Sequence, residues 1–197
     1  MTVWGMKRRL RRALNQKRYR HSIGVEKEAV KLARIYGADI RKARIAGLLH
    51  DCAKGFKDAG AIEAAKEYAL KPDDYQMQAP KLLHAPLGAK VAALEYGVND
   101  PEILSAIQFH TTGKENMTLL EKIIYIADMV EAGRDFPGVE ALREMAETDL
   151  DSALTASIRQ CVEHVKSKGS VLHPDSLKAL SYMEQTCSAA IKQEGEN

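Results

Sequence analysis

Cysteine is scarce in this chain. Cys52, Cys161 and Cys187 lie far apart, and no CxxC pair occurs. An odd, dispersed set argues against a disulfide framework and fits a reducing compartment, so a cytoplasmic location is expected. No apolar stretch approaches the roughly 20 residues that would span a membrane. The basic N-terminus, Met1 to Arg12, lacks a long apolar core and does not read as a signal peptide. A charge excess of one sign is also missing: 29 Lys and Arg against 27 Asp and Glu leave a net +2. That argues against wholesale nucleic-acid binding, which calls for a large basic excess. No internal repeat, low-complexity segment or linker interrupts the 197 residues, so one domain spanning 1–197 is expected, with fraying at residues 194–197. No long run alternates apolar and polar residues in the manner of a strand, which points to an all-α fold.

What remains is a series of helical segments. Val3, Met6, Leu10 and Leu14 repeat at helical spacing, with Lys7, Arg8, Arg9, Arg11 and Arg12 around them. This reads as a packed N-terminal helix with a solvated basic face. A second helix runs from about Gln16 to Tyr36, with Gly37 as its stop and His21 in line with Val25 and Ala29. Asp39 caps a third, which the spacing extends to about Gly55. Further helices are expected near 58–70, 81–96 and 101–110, then one that starts after Thr118 and carries Asp128, one near 140–146, one from Asp149 or Asp151 through Val165, and a last one from the turn at 173–176 to about 193. Pro86 places His84 near a helix start or on the loop before it. Asp100 and Pro101 open the helix that ends at His110, and Thr118 with Glu121 forms a capping box.

The stretch Ile45-Ala46-Gly47-Leu48-Leu49-His50-Asp51-Cys52-Ala53-Lys54 organises the chain. An apolar run delivers a histidine and an aspartate side by side. On a helix, Lys54 lies three residues after Asp51 and four after His50, on the same face. A carboxylate emerging from apolar surroundings needs a strong partner, and a divalent ion such as Zn, Mn, Fe or Co meets that need. A His-Asp dipeptide alone would more often be a surface or cap feature. Here, however, His21 precedes it, and His84, His110 and Asp128 follow. Periodicity leaves Asp128 undecided, because its helical neighbours four and seven residues back are Ile124 and Glu121.

The order His, His-Asp, His, His, Asp over roughly residues 15 to 180 resembles that of the HD-domain metal phosphohydrolases. Further stretches resemble one bacterial branch, the YqeK-type symmetrical dinucleoside-tetraphosphate hydrolases. These are Arg18 to Val25, His50 to Lys54, Ile126 to Asp128, Arg134 to Val139 and Leu172 to Leu177. The resemblance implies an HD-domain helical bundle with a buried metal site, formed by His21, His50, Asp51 and Asp128. It implies an iron-dependent enzyme splitting diadenosine tetraphosphate into two ADP, by attack of a metal-bound hydroxide on an inner phosphorus. Asp51, Lys54, His84 and His110 are the expected catalytic residues. Arg18, Asp51, Lys54, His84, His110, Thr111, Arg134, His173, Pro174, Asp175 and Ser176 are the expected substrate contacts. His84 and His110 have two readings: a second ion bridged by Asp51, or direct contact with phosphate. A homodimer is compatible with this reading. Two alternatives stay open: an HD enzyme for an alarmone, cyclic nucleotide or deoxynucleotide, and a non-catalytic nucleotide-binding module.

Overall fold

The computed structural model describes residues 1–56 and 58–194, the side chains of 58, 59 and 188–194 excepted. Of the tail at 194–197, expected to fray, Glu194 is the last residue of the final helix and 195–197 lie outside the described residues. Eleven α-helices follow one another among the described residues, with no strand. They are α1 (Val3–Ala13), α2 (Gln16–Ile35), α3 (Ile40–Leu49), α4 (Asp58–Glu67), α5 (Asp74–Gln78) and α6 (His84–Tyr96). Then come α7 (Pro101–Phe109), α8 (Leu119–Val130), α9 (Val139–Thr148), α10 (Leu150–Ser167) and α11 (Pro174–Glu194).

The centre of the bundle is α8. Ile123, Ile124, Tyr125, Ile126 and Ala127 are all buried, so this helix has no solvent side along that run. It packs against α2, α3, α7, α9 and α10. A helix apolar all round is a core helix, and its backbone is a rigid mount for Asp128 near its end. The most extensive pairing in the bundle is α2 on α3, and Gly47 lets the two backbones approach. A Cβ there would stand 3.0 Å from the Val25 carbonyl oxygen and 3.1 Å from the Ala29 Cβ. Close approach brings His21 on α2 beside the residues that leave α3. The N-terminal helix behaves as its pattern requires: Met6, Leu10 and Leu14 are buried, while Arg8, Arg9, Arg11 and Arg12 stay outside.

Local signals explain most boundaries. Asp39 accepts from the amides of Arg41 and Lys42, Asp100 from that of Glu102, and Thr118 and Glu121 close a capping box. Gly37 and Gly97 adopt the left-handed conformation that ends α2 and α6. Three boundaries correct the sequence expectation. First, α3 ends at Leu49, so His50 and Asp51 do not share a helix with Lys54. Residues 50–56 form successive tight turns, with the amides of Cys52, Lys54 and Phe56 each bonding three residues back. Asp51 and Lys54 still meet, because a tight turn also pairs residues three apart; Lys54 Nζ lies 2.9 Å from Asp51 Oδ2. Second, the segment from residue 81 is two elements: a 3-10 turn at Pro80–Leu83, then α6 beginning at His84. Pro86 is tolerated because first-turn amides have no partner within the helix. Third, Pro72-Asp73-Asp74, which by residue type reads as a polar turn, opens the short helix α5 through an Asp73–Gln76 capping box.

Candidate metal centre

Six side chains from five helices converge: His21 from α2, His50 and Asp51 just after α3, His84 from the start of α6, His110 just after α7, and Asp128 from α8. Asp51 and His110 are buried, and His50 is fully so. Three of the histidines are set by one device. His50 Nδ1 bonds the Gly47 carbonyl at 2.8 Å, His84 Nδ1 that of Lys81 at 2.5 Å, and His110 Nδ1 that of Ile107 at 2.7 Å. Each acceptor is a carbonyl three residues back, among those a helix end leaves without an intrahelical partner. A carbonyl only accepts, so each Nδ1 carries the hydrogen and each Nε2 presents a lone pair.

Those lone pairs face one another. His84 Nε2 and His110 Nε2 are 3.2 Å apart, as are His21 Nε2 and His50 Nε2. His21 Nε2 is also 2.9 Å from Asp128 Oδ1. Asp51 Oδ2 lies 3.5 Å from His50 Nε2 and 3.8 Å from His21 Nε2. Asp51 Oδ1 lies 3.6 Å from His84 Nε2 and 3.4 Å from His110 Nε2, yet it is buried without a hydrogen bond. Facing lone pairs and an orphaned carboxylate oxygen require positive charge between them. The donors fall into sets whose members lie within 4.8 Å of one another: His21, His50 and Asp51; His50, His110 and Asp128; and Asp51, His84 and His110. Ligands of one ion with bonds near 2.1 Å stand about 3 Å apart, so the donor set fits a divalent cation. Thr111 Oγ1, at 3.0 Å from His84 Nε2 and 3.1 Å from His110 Nε2, can donate its single hydrogen to only one of them.

The electrostatics follow. Burial works against the Asp51 and Asp128 carboxylates. For Asp51 it is outweighed by His50, His110 and Lys54, and for Asp128 by His21, His50 and Arg134, so both are held below the usual range. Burial with nearby His110 and Lys54 pushes His84 down to about 3, leaving it neutral and able to accept. Burial also disfavours charge on His50, but Asp51 and Asp128 reverse the direction and raise it.

Two cavities flank the cluster and share Arg18 and Lys54. One, of about 590 Å³, has apolar walls including Phe56, Val162, Val165 and Leu172, with His84, Thr111, His173 and Ser176 supplying polar atoms. The other, of about 1050 Å³, is lined largely by charged and polar residues, with Lys17, Arg20, Arg134 and Glu131 beside His21 and Asp51. Of the residues expected to bind substrate, Arg18, Asp51, Lys54, His84, Thr111, Arg134, His173 and Ser176 line one or both. His110, Pro174 and Asp175 do not line these two cavities. Pro174 opens α11, and the Asp175 amide bonds His173 Nδ1. Arg134 is engaged with Asp128, through its Nε to the backbone oxygen at 2.6 Å and its Nη2 to the carboxylate. His164 is exposed and outside the site, as its lysine-rich surroundings imply. Sequence reasoning missed Arg20, the Asp73 carboxylate that holds His173 Nε2 at 2.9 Å, and Glu131, which contacts His21.

The histidines and aspartates thus gather around one buried point of an all-helical scaffold, in the order that the resemblance to the HD-domain metal phosphohydrolases implied. The chain belongs to the HD domain family, whose profile matches residues 18–133. It is similar to the symmetrical bis(5'-nucleosyl)-tetraphosphatase of Halalkalibacterium halodurans, at 43% identity over 83% of this chain and 87% of that one. The enzyme of the same name from Bacillus subtilis is 40% identical, over 88% and 93% of the two chains. A crystal structure from Clostridium acetobutylicum, described as a predicted HD superfamily hydrolase involved in NAD metabolism, superposes with a TM-score of 0.91. It is 42% identical and covers 94% of this chain and 98% of its own.

Proposed function

We propose that this chain hydrolyses dinucleoside tetraphosphates at their centre, converting diadenosine tetraphosphate and water into two ADP. The observation that carries the reading is the pair of unlike cavities meeting at Lys54 beside the His and Asp cluster. An apolar cavity of about 590 Å³ suits one nucleoside. The basic cavity suits a polyanion, so it receives the other nucleoside diphosphate. The cut then falls between the two inner phosphates, where the cavities join. The named relatives in H. halodurans and B. subtilis support this reading of the substrate.

His21, His50, Asp51 and Asp128 would hold a divalent ion, which we assign as iron. Such an ion supplies a lowered pKa for water and offsets charge on phosphoryl oxygens. The chain's own residues do the rest. Asp51, buried and ionised, orients the attacking water through its free Oδ1. Lys54 and Arg18 neutralise phosphate oxygens on both sides of the scissile bond. His84, neutral, and Thr111 hold the phosphoryl group under attack. Oxygen from water bonds to one inner phosphorus as the water releases a proton to solvent, the bond from that phosphorus to the bridging oxygen breaks with its electron pair on that oxygen, and ADP departs into the basic cavity. A second ion at Asp51, His84 and His110 is the alternative use of those histidines, favoured by their shared approach to Asp51 Oδ1.

No helix among the described residues is long and apolar enough to cross a membrane. With three free cysteines, this supports the proposed cytoplasmic setting. A substrate panel tests the function. Iron-loaded protein is offered diadenosine and diguanosine tetraphosphate, NAD, a guanosine alarmone, a cyclic nucleotide and a deoxynucleoside triphosphate. Preferred turnover of a tetraphosphate supports the proposal. Preferred turnover of another member redirects it within the family, and bound metal without turnover favours a binding module.

A further inference from the structure

We infer that Glu131 is the positioning residue of the metal centre, and that Gly24 and Gly133 are glycines because its carboxylate fills the space their side chains would take. His21 is the one histidine of the cluster without a carbonyl on its Nδ1. Glu131 Oε1 takes that place at 3.0 Å. The carboxylate is buried, and its other oxygen accepts the Gly133 amide at 2.7 Å. The backbone of Glu131 is fixed as well. It caps α8, and its carbonyl accepts from the Arg134 amide and from Arg143. A Cβ on Gly24 would stand 2.1 Å from Oε2, and one on Gly133 would stand 2.9 Å from Oε1. Both glycines therefore leave room for one carboxylate, and one of them sits in the interior of α2, where glycine is otherwise unfavourable.

The chemistry of this arrangement is specific. A carboxylate on Nδ1 keeps the hydrogen on that nitrogen and turns the Nε2 lone pair inward, towards His50 and Asp128. It also makes the imidazole a stronger donor than a carbonyl partner would. The inference rests on the metal reading of the cluster. Glu131 lines the basic cavity beside His21, but His21 is the one candidate metal ligand it contacts, so its effect on the metal passes through that ring.

The test uses zinc as a diamagnetic probe, with affinity measured by competition against a chromophoric chelator. Nitrogen-15 spectra of the histidine rings of the zinc-loaded full chain are recorded in parallel. In the wild type, His21 shows a slowly exchanging hydrogen on Nδ1. Glu131→Gln has one oxygen for two donors, the Gly133 amide and His21 Nδ1. It is expected to weaken zinc binding about ten- to a hundred-fold and to abolish or shift that signal. Gly24→Ala keeps the carboxylate but displaces it, in a helix that alanine favours, and is expected to act in the same direction. It decides the matter should Glu131→Gln not fold. Helical circular dichroism certifies each variant. Wild-type zinc affinity with an unchanged His21 signal in a folded variant overturns the inference. A wild type that binds no divalent ion overturns the metal reading beneath it instead, and the two failures are distinguishable.

Discussion

Substituting alanine for glycine gives opposite outcomes at two positions of this fold, and the geometry says which. At Gly47 the new Cβ meets the Val25 carbonyl at 3.0 Å, the Ala29 Cβ at 3.1 Å and the Glu26 Cα at 3.2 Å. Two of these are backbone atoms, so no side-chain rotation relieves the contact, and α2 and α3 must separate by a few tenths of an ångström. Overpacking of this kind costs about 1–3 kcal/mol. The intrinsic helix preference of alanine over glycine offsets about 1 kcal/mol of that. The net is a loss of about 0–2 kcal/mol, or up to roughly 8 °C in Tm for a chain of this size. At Gly60, in α4, nothing lies within 4 Å of the new Cβ, and the same substitution is expected to stabilise by up to about 1 kcal/mol. Urea denaturation of chelator-treated protein measures both. Gly47→Ala carries a second signature, because α2 bears His21 and α3 leads directly into His50: divalent-ion affinity should fall with stability. A Gly47→Ala protein as stabilised as Gly60→Ala, with unchanged metal affinity, would refute the close-packing argument.

Lys54→Met keeps the length of the side chain but removes its charge from the junction of the two cavities. Steady-state kinetics should show kcat/KM for diadenosine tetraphosphate down about ten- to a hundred-fold, with metal content intact. Arg134→Ala should weaken nucleotide binding by a similar factor in calorimetry while metal content stays normal; loss of metal would place Arg134 in support of Asp128 instead. For Asp73, burial opposes the charged form, but His173 and the α5 amides outweigh it and lower its pKa. A lowered folded pKa means the unfolded chain binds more protons as the solution acidifies. The contribution is thus present above the ordinary aspartate value near 3.9 and is lost as pH falls through the folded value. Asp73→Asn should melt below the wild type at neutral pH, with the gap narrowing as the pH falls below the ordinary aspartate value of about 3.9; a gap independent of pH would remove the Asp73–His173 link from the account.

The helices were legible because their ends are local chemistry. Asp39, Asp100 with Pro101, and Thr118 with Glu121 each write a cap into three or four consecutive residues. The end of α3 was not legible, since no glycine or proline follows Leu49 until Gly55. The chain leaves the helix there, and His50 turns its Nδ1 to Gly47. Asp128 was ambiguous for a different reason: periodicity reports a solvent side, and α8 is buried along its middle turns. The Asp73–Gln76 capping box of α5 was readable by the same rule as Thr118–Glu121 and went unread. Glu131 left a fainter trace, a lone glycine in the middle of α2. That trace points to close approach without saying what approaches. Only the packing of α8 on α2 supplies the carboxylate that answers it.

Hydrolysis of diadenosine tetraphosphate in oxygen-18 water, by chelator-stripped protein reloaded with iron, tests the central claim most directly. Products are separated by chromatography and weighed by mass spectrometry. The account predicts no turnover before reloading, and afterwards two ADP per substrate with one labelled oxygen in one of them. ATP with AMP as the main products, or two ADP formed equally fast without metal, would contradict it.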